Sequence, residues 1–181
     1  MISQPLFTVS QQIKFAKVKP EAIIPSKRVE DAGFDIYANF DVDYMIIKPH
    51  ETVKIPTRLC GATDPEHFMM LKERGSNGVL GIAQRSGIMD SGYRGEWFVP
   101  LTNTGDTPVM IVKPELRTMG GFLPLAKAIC RTAPIIYPYE KAICQAIVLD
   151  NILCEVIAMP IDEFKALPSE RGEGALGSSG K

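Results

Sequence analysis

Ala142-Ile143-Cys144-Gln145-Ala146-Ile147-Val148-Leu149-Asp150 decides the fold. The run is short, apolar, and free of Gly and Pro, and Ile143, Ile147 and Val148 are β-branched, which makes it a strand. Its one amide, Gln145, stands in an otherwise apolar setting. A buried amide must be hydrogen-bonded; its partner is either backbone or a ligand phosphate. Working outward, similar runs recur at Ile13–Val18, Phe34–Ala38, Tyr44–Ile47, Glu51–Ile55, His67–Leu71, Trp97–Leu101, Val109–Val112 and Cys154–Ala158. Several alternate apolar and polar residues, as half-buried antiparallel strands do. The chain has 14 Pro and 15 Gly, and these breaks leave no room for long helices. The pattern predicts an all-β chain, an antiparallel sandwich or a jelly-roll-like distorted barrel. Two helical pieces are expected: a turn at Pro160–Phe164 and a short helix within Leu116–Ile129.

The 181 residues suffice for one domain with a sizeable core, and 45% hydrophobic content is ordinary for a globular protein. A net charge of −1 gives no electrostatic footprint for nucleic acid or an anionic membrane, though a local anion site needs only a few residues. No signal peptide and no apolar run of membrane length are seen, and a cytoplasmic protein is expected. Cys60, Cys130, Cys144 and Cys154 form no CxxC pair and read as buried thiols.

Four further segments carry candidate chemistry. Asp31-Ala32-Gly33-Phe34-Asp35-Ile36 runs from a turn into a strand, with Asp35 either solvated or recruited for a cation. Glu73-Arg74-Gly75-Ser76 follows an apolar strand and can aim amides, a hydroxyl and a guanidinium at one anion. Gly87-Ile88-Met89-Asp90-Ser91-Gly92-Tyr93-Arg94-Gly95-Glu96 reads as a hairpin with one carboxylate able to act as a general base. The end of the chain, residues 171–181, holds Arg171, four Gly and two Ser. By composition it is a flexible Gly/Ser tail; beside phosphate chemistry elsewhere, its bare amides can cradle phosphates. The expected division is therefore a β domain over 1–170 and a phosphate-binding tail over 171–181.

In chain order these five segments resemble the motifs of the trimeric deoxyuridine triphosphatases (dUTPases). Ala32 to Ala38 resembles the family's AGxD motif, Gly87 to Glu96 its G-aliphatic-ID-x-x-YRGE, Lys141 to Ala146 its RIAQL, and Arg171 to Gly180 its RGxGGFGSTG. The resemblance spans nearly the whole chain. It implies a jelly-roll-like homotrimer whose active sites are each built from all three chains. The implied reaction is dUTP and water giving dUMP and pyrophosphate, with Mg2+ on the triphosphate. The resemblance further implies Asp90 as the base that activates water and Tyr93 as the ring against the deoxyribose. The turn from Gln84 through Gly87 to Met89 would read uracil, and Asp35 would hold the metal through water. Arg74, Gly75, Ser76 and Gln145 would meet the phosphates. Arg171 would be an arginine finger, and Leu176, Gly177 and Ser178 would close over the substrate.

The chain departs from the family pattern at several points. Arg74-Gly75-Ser76 stands where Arg-Ser-Gly is usual, while the literal Arg85-Ser86-Gly87 lies too near Asp90 to be the second motif. Gln84 stands for Asn, and Ala175-Leu176 for Gly-Phe. An insertion around 113–134 is similar to that of longer enzymes from some bacteriophages of Gram-positive hosts. Two other readings stay open. One is a dCTP deaminase-like enzyme using Glu96. The other is a nucleotide-sensing or repressor-binding protein that presents the insertion to a protein partner.

Overall fold

The structure is a computed structural model and describes residues 12–170 and 172. Contacts divide the chain into two units, Met1–Asn151 and Ile152–Lys181. The first unit carries twelve strands: β1 (Lys14–Lys17), β2 (Gly33–Ile36), β3 (Tyr44–Ile47), β4 (Thr52–Pro56), β5 (Leu59–Ala62), β6 (His67–Lys72), β7 (Ile82–Gln84), β8 (Ile88–Met89), β9 (Phe98–Asn103), β10 (Val109–Val112), β11 (Ile135–Pro138) and β12 (Cys144–Asp150). They form four sheets, ordered β1-β5, β11-β10-β3, β2-β12-β6-β8 and β4-β9-β7. Among the described residues no sheet closes into a barrel. All pairings are antiparallel except β10 with β11.

The expected strands β3 and β10 coincide with the observed ones, and the β6 and β12 boundaries differ by one residue. β6 alternates strictly, with His67, Met69 and Leu71 buried. Met69 and Leu71 join Ile36, Ile55, Val99, Cys144 and the fully buried Trp97 in one core. Phe15 meets the Trp97 indole edge-on at 5.8 Å between centroids, an arrangement aromatic rings favour.

β10 is buried along its whole length, and the inserted segment supplies the reason. Val109 and Ile111 enter the main core. Met110 and Val112 face the other way, against Phe122 and Ala126. Those two residues lie four apart on α3 (Phe122–Cys130), so they share one helix face. A shorter helix, α2 (Pro114–Arg117), precedes it, with Pro at its start and Arg117 in its last turn. The helix expected within Leu116–Ile129 is thus two helices separated by Gly120-Gly121, and the insertion packs on its own chain's sheet.

Two expectations need correction. Cys154–Ala158 forms no strand; Val156 is 94% exposed and no strand pairs with this run among the described residues. β-Branched composition alone does not hold an unpaired strand. The cysteines are free, but only Cys144 is buried and Cys154 is exposed. The helical turn expected after Pro160 is present as α4 (Ile161–Lys165) in the second unit. No helix among the described residues is long and apolar enough to cross a membrane.

Candidate functional site

On β12 the buried Cys144 and Ala146 flank Gln145, whose side chain therefore leaves on the opposite face. Burial pushes the Cys144 thiol far up, so it stays protonated and inert. Gln145 lies opposite Asp35 of β2 and Lys72 of β6, forming one row across three strands. Gly33 makes room for it: a Cβ there would come within 3.0 Å of both Cβ and Oε1 of Gln145. The Gln145 amide donates to the Glu73 carbonyl at 3.5 Å. Arg74 follows, and its Nε lies 3.3 Å from Asp35 Oδ1. The structure thus brings Asp35, Arg74 and Gln145 together.

The segment after Arg74 is a single helical turn, α1 (Gly75–Val79), rather than an open turn. Gly75 and Ser76 are exposed beside Arg74. A cavity of about 590 Å3 opens here, lined by Gly33, Asp35, Tyr37, Arg74, Gln145 and, from the preceding loop, Ser26–Arg28 and Glu30–Ala32. Lys27, Arg28 and Asp31 in that lining were not singled out from sequence. Arg28 grips Asp31 with two bonds of 2.9 Å, and this guanidinium holds the Asp31 carboxyl below its ordinary range. Lys27 Nζ donates to the Asp31 and Arg28 carbonyls at 2.6 and 3.4 Å. Lys27 makes no carboxylate ion pair among the described residues, though its charge helps hold the Asp31 carboxyl down. A run of charges so close to a turn reads from sequence as a solvated loop, which is why it gave no signal.

The second group lies on β7, on β8 and in the turn after it; β7 pairs with β9 and β8 with β6, so the hairpin expected over Gly87–Glu96 is instead a short strand on β6 followed by a turn. Gln84 is braced internally, its amide donating to the Ser86 carbonyl at 2.8 Å. Arg85 and Ser86 fasten the segment between β7 and β8 to β9: Arg85 Nε donates to Thr102 Oγ1 at 3.2 Å and Ser86 Oγ to the Phe98 carbonyl at 3.3 Å. Those fastenings give the Arg85-Ser86-Gly87 triplet a structural job. Gly87 accepts from the Leu71 amide at 3.0 Å, and Met89 pairs with Met69. Asp90 is exposed, and its carbonyl accepts from the Tyr93 amide at 3.0 Å. Tyr93 folds over Gly95, where a Cβ would run into the phenol oxygen, and donates to the Glu96 carbonyl at 3.1 Å.

Glu96 is occupied. Its two oxygens accept from the Arg58 amide at 3.0 Å and the Arg58 guanidinium at 3.2 Å, and its side chain is 13% exposed. A carboxylate so engaged braces the sheet corner and is not free to move protons.

The two groups lie far apart within one chain. Continuing the Met69–Met89 register sets Asp90 opposite Phe68, four residues along β6 from Lys72, the residue in the Asp35–Gln145 row. Three strand gaps of ~4.8 Å and four residues of ~3.4 Å separate Asp90 from Asp35 by about 20 Å. Arg171, Leu176, Gly177 and Ser178 lie outside the described residues.

What these features define is a β-sheet protein of jelly-roll-like class with a polar cavity on a four-stranded sheet and a second acidic group on a distant turn. A dUTPase family model matches residues 19–115, more than half of the chain, and this protein belongs to that family. The match includes Asp35, Arg74, Asp90 and Tyr93 and ends before Gln145. The deoxyuridine 5'-triphosphate nucleotidohydrolase of Leptospira interrogans is 33% identical over 100 residues, covering 52% of this chain and 68% of that protein. The enzyme of that name from Nautilia profundicola is 28% identical over 175 residues, covering 94% of this chain and 99% of its own. The Pol polyprotein of equine infectious anemia virus is 32% identical over 105 residues; the match covers 54% of this chain but only 9% of the polyprotein. Among solved structures, a dUTPase of Staphylococcus bacteriophage 80alpha with dUpNHpp superposes with a TM-score of 0.68 at 17% identity, covering 93% of this chain and 98% of that one. That likeness establishes a shared fold.

Proposed function

We propose that this protein hydrolyses dUTP to dUMP and pyrophosphate by attack of an activated water on the α-phosphorus. The observation that carries this reading is the Asp35–Arg74–Gln145 cluster, three motif residues from separate segments meeting in one cavity. Arg74, Gln145 and the exposed Gly75 and Ser76 hold the phosphates, for which guanidinium and amide donors are suited. Lys27 adds charge at the same rim. Asp90 takes the proton of the attacking water. Tyr93 lies against the deoxyribose, and the turn from Gln84 through Gly87 to Met89 reads the uracil edge. Arg171 steadies the charge that develops on the leaving phosphates, and Leu176, Gly177 and Ser178 close over the substrate.

Among the described residues no cluster of three or more His, Cys, Asp or Glu could hold a metal by itself. Mg2+ does not need one: it keeps several waters and uses one or two carboxylates with substrate phosphates. Asp35, the motif carboxylate inside the cavity, fits that role through a water. Mg2+ there supplies neutralisation of phosphate charge.

A base must lie within one water of the reacting phosphorus. Asp90 and Asp35 of one chain, about 20 Å apart by strand geometry, do not meet that condition. We therefore assign the complete site to a homotrimer in which Asp90 of one chain serves the cavity of another. The second unit agrees with assembly, since Ile152, Leu153, Val156, Ile157 and Phe164 are all more than half exposed.

The deaminase-like reading loses its candidate acid, because Glu96 is committed to Arg58. A sensing role with the insertion as partner surface draws only on the exposed Met119, Leu123 and Leu125. The deciding experiment incubates the full chain and Mg2+ separately with dUTP and dCTP, and measures pyrophosphate and ammonia. Pyrophosphate from dUTP without ammonia from dCTP is expected. Ammonia from dCTP, or no pyrophosphate from dUTP, overturns the reading.

A further inference from the structure

Asn77 is a buried amide one residue beyond the Arg74-Gly75-Ser76 segment, and its exposure is 1%. Its Nδ2 donates to the Ile143 carbonyl at 2.8 Å, and its Oδ1 accepts from the Tyr137 hydroxyl at 2.9 Å. The same hydroxyl lies 2.7 Å from the Ala142 carbonyl. Three elements meet at this point: α1, which carries Ser76; β11, which carries Tyr137; and the entry to β12, two residues before Gln145. The amide orientation is the one that satisfies both neighbours, its nitrogen facing a carbonyl and its oxygen a hydroxyl.

We infer that Asn77 and Tyr137 are positioning residues that hold Arg74 and its neighbours in register with Gln145. The inference rests on the reading of this cluster as the phosphate side of the site. Without the pair, α1 has little to fix it. It is five residues long, its cap position Arg74 makes no side-chain capping bond, and Asn77 is its one buried residue. An isolated turn of that length is not stable by itself. Arg74 reaches the cavity from the first position before this turn, so rotation of the turn moves the guanidinium. Tyr137 suits this role because burial pushes its hydroxyl up to about 12, so the proton it donates is kept throughout the neutral range.

Tyr137 also joins the site to the insertion. β11 follows α3 directly, and its side chains alternate: Ile136 packs with Phe122 and Ala126, while Tyr137 enters the main core. The strand that seats the inserted helix therefore also carries the hydroxyl that seats the phosphate turn.

A double-mutant cycle tests the inference, with Tyr137→Phe and Arg74→Ala alone and combined in the full-length protein. The readouts are affinity for the α,β-imido analogue of dUTP, by calorimetry, and the thermal unfolding midpoint. If Tyr137 acts through Arg74, Tyr137→Phe weakens binding about five- to tenfold when Arg74 is present and adds no further loss when Arg74 is absent. Asn77→Ala gives the same pattern. Equal losses in both backgrounds mean a general loss of structure and overturn the inference, as does unchanged affinity for both Tyr137→Phe and Asn77→Ala. If Arg74→Ala itself binds normally, the phosphate reading fails and takes this inference with it.

Discussion

The cavity around Asp35 and the turn around Asp90 carry the same kind of side chain in opposite settings. Asp35 sits in a ladder of three strands, half-buried, with a guanidinium 3.3 Å away. Asp90 projects from a turn after a two-residue strand, exposed, and no described residue hydrogen-bonds its carboxylate. The cavity is organised by the sheet and is ready to receive charge. The segment that ends in Asp90 is held by β9 through β7 and by β6 through β8, and its acid is exposed. A carboxylate left unpaired on a rigid turn is suited to act on something that another chain brings.

The largest expected effect tests that division. Asp90→Asn should bind the imido analogue nearly as the unchanged protein does and lose about 10²–10⁴-fold in turnover. Arg74→Ala should bind the analogue measurably but more weakly and lose most turnover. Neither variant is active alone, but the two, unfolded and refolded together, should recover measurable hydrolysis, because mixed assemblies contain sites with one intact Asp90 and one intact Arg74. A mixture as inactive as its components places both residues in one chain and breaks the comparison.

The next effects come from the glycine in each region. Gly33→Ala sets a methyl within 3.0 Å of Gln145 Cβ. That atom is fixed to the backbone of a central strand, so the sheet itself must give. Overpacking of this kind costs about 1–3 kcal/mol, and denaturant unfolding should show it together with weaker analogue binding. Gly95→Ala also crowds a neighbour, the Tyr93 ring, but that ring is 44% exposed and can swing away. Stability should change by less than about 0.5 kcal/mol, while KM for dUTP rises about fivefold as the ring leaves its place. Equal stability losses in the two variants would mean that the turn around Tyr93 is as tightly built as the sheet.

The sheet region was far more legible in the sequence than the network that supports it. β6 and β12 announce themselves by alternation and β-branching, and Gln145 stands out as an amide among apolar residues. β5, β7, β8 and β11 were not expected. They are two to four residues long, and their pairing is set by partners distant in sequence, such as Lys14–Ala62 and Gln84–Leu101. Local pattern carries no trace of that. Asn77 is an ordinary turn-forming residue until Tyr137, sixty positions away, meets it. Glu96 looked free for chemistry because Arg58, 38 positions upstream, gives no local sign of being its partner. Cys154–Ala158 shows the converse: a strand-like composition without a strand to pair with.

The smallest expected effect concerns the strand that links the two regions. β6 pairs with β12 on one side and β8 on the other, and His67 opens it. His67 Nδ1 lies 2.5 Å from Asp64, and Nε2 lies 3.4 Å from Asp150 at the end of β12. The hydrogen bond to Asp64 raises the imidazole above its ordinary value, with Asp64, Asp150 and Glu66 adding favourable charge. A histidine raised on folding stabilises the fold while protonated. That contribution is complete below about pH 6.5, the ordinary histidine value, and fades as pH rises through the higher folded value. The thermal midpoint should therefore fall slightly from pH 6 to pH 8, and His67→Gln should flatten that slope. Amide exchange should quicken first at the His67–Asp150 end, on the Asp90 side, and leave the Lys72–Gln145–Asp35 row protected. Quicker exchange at that row instead would mean that β6 loosens as a whole and that the two regions do not respond separately.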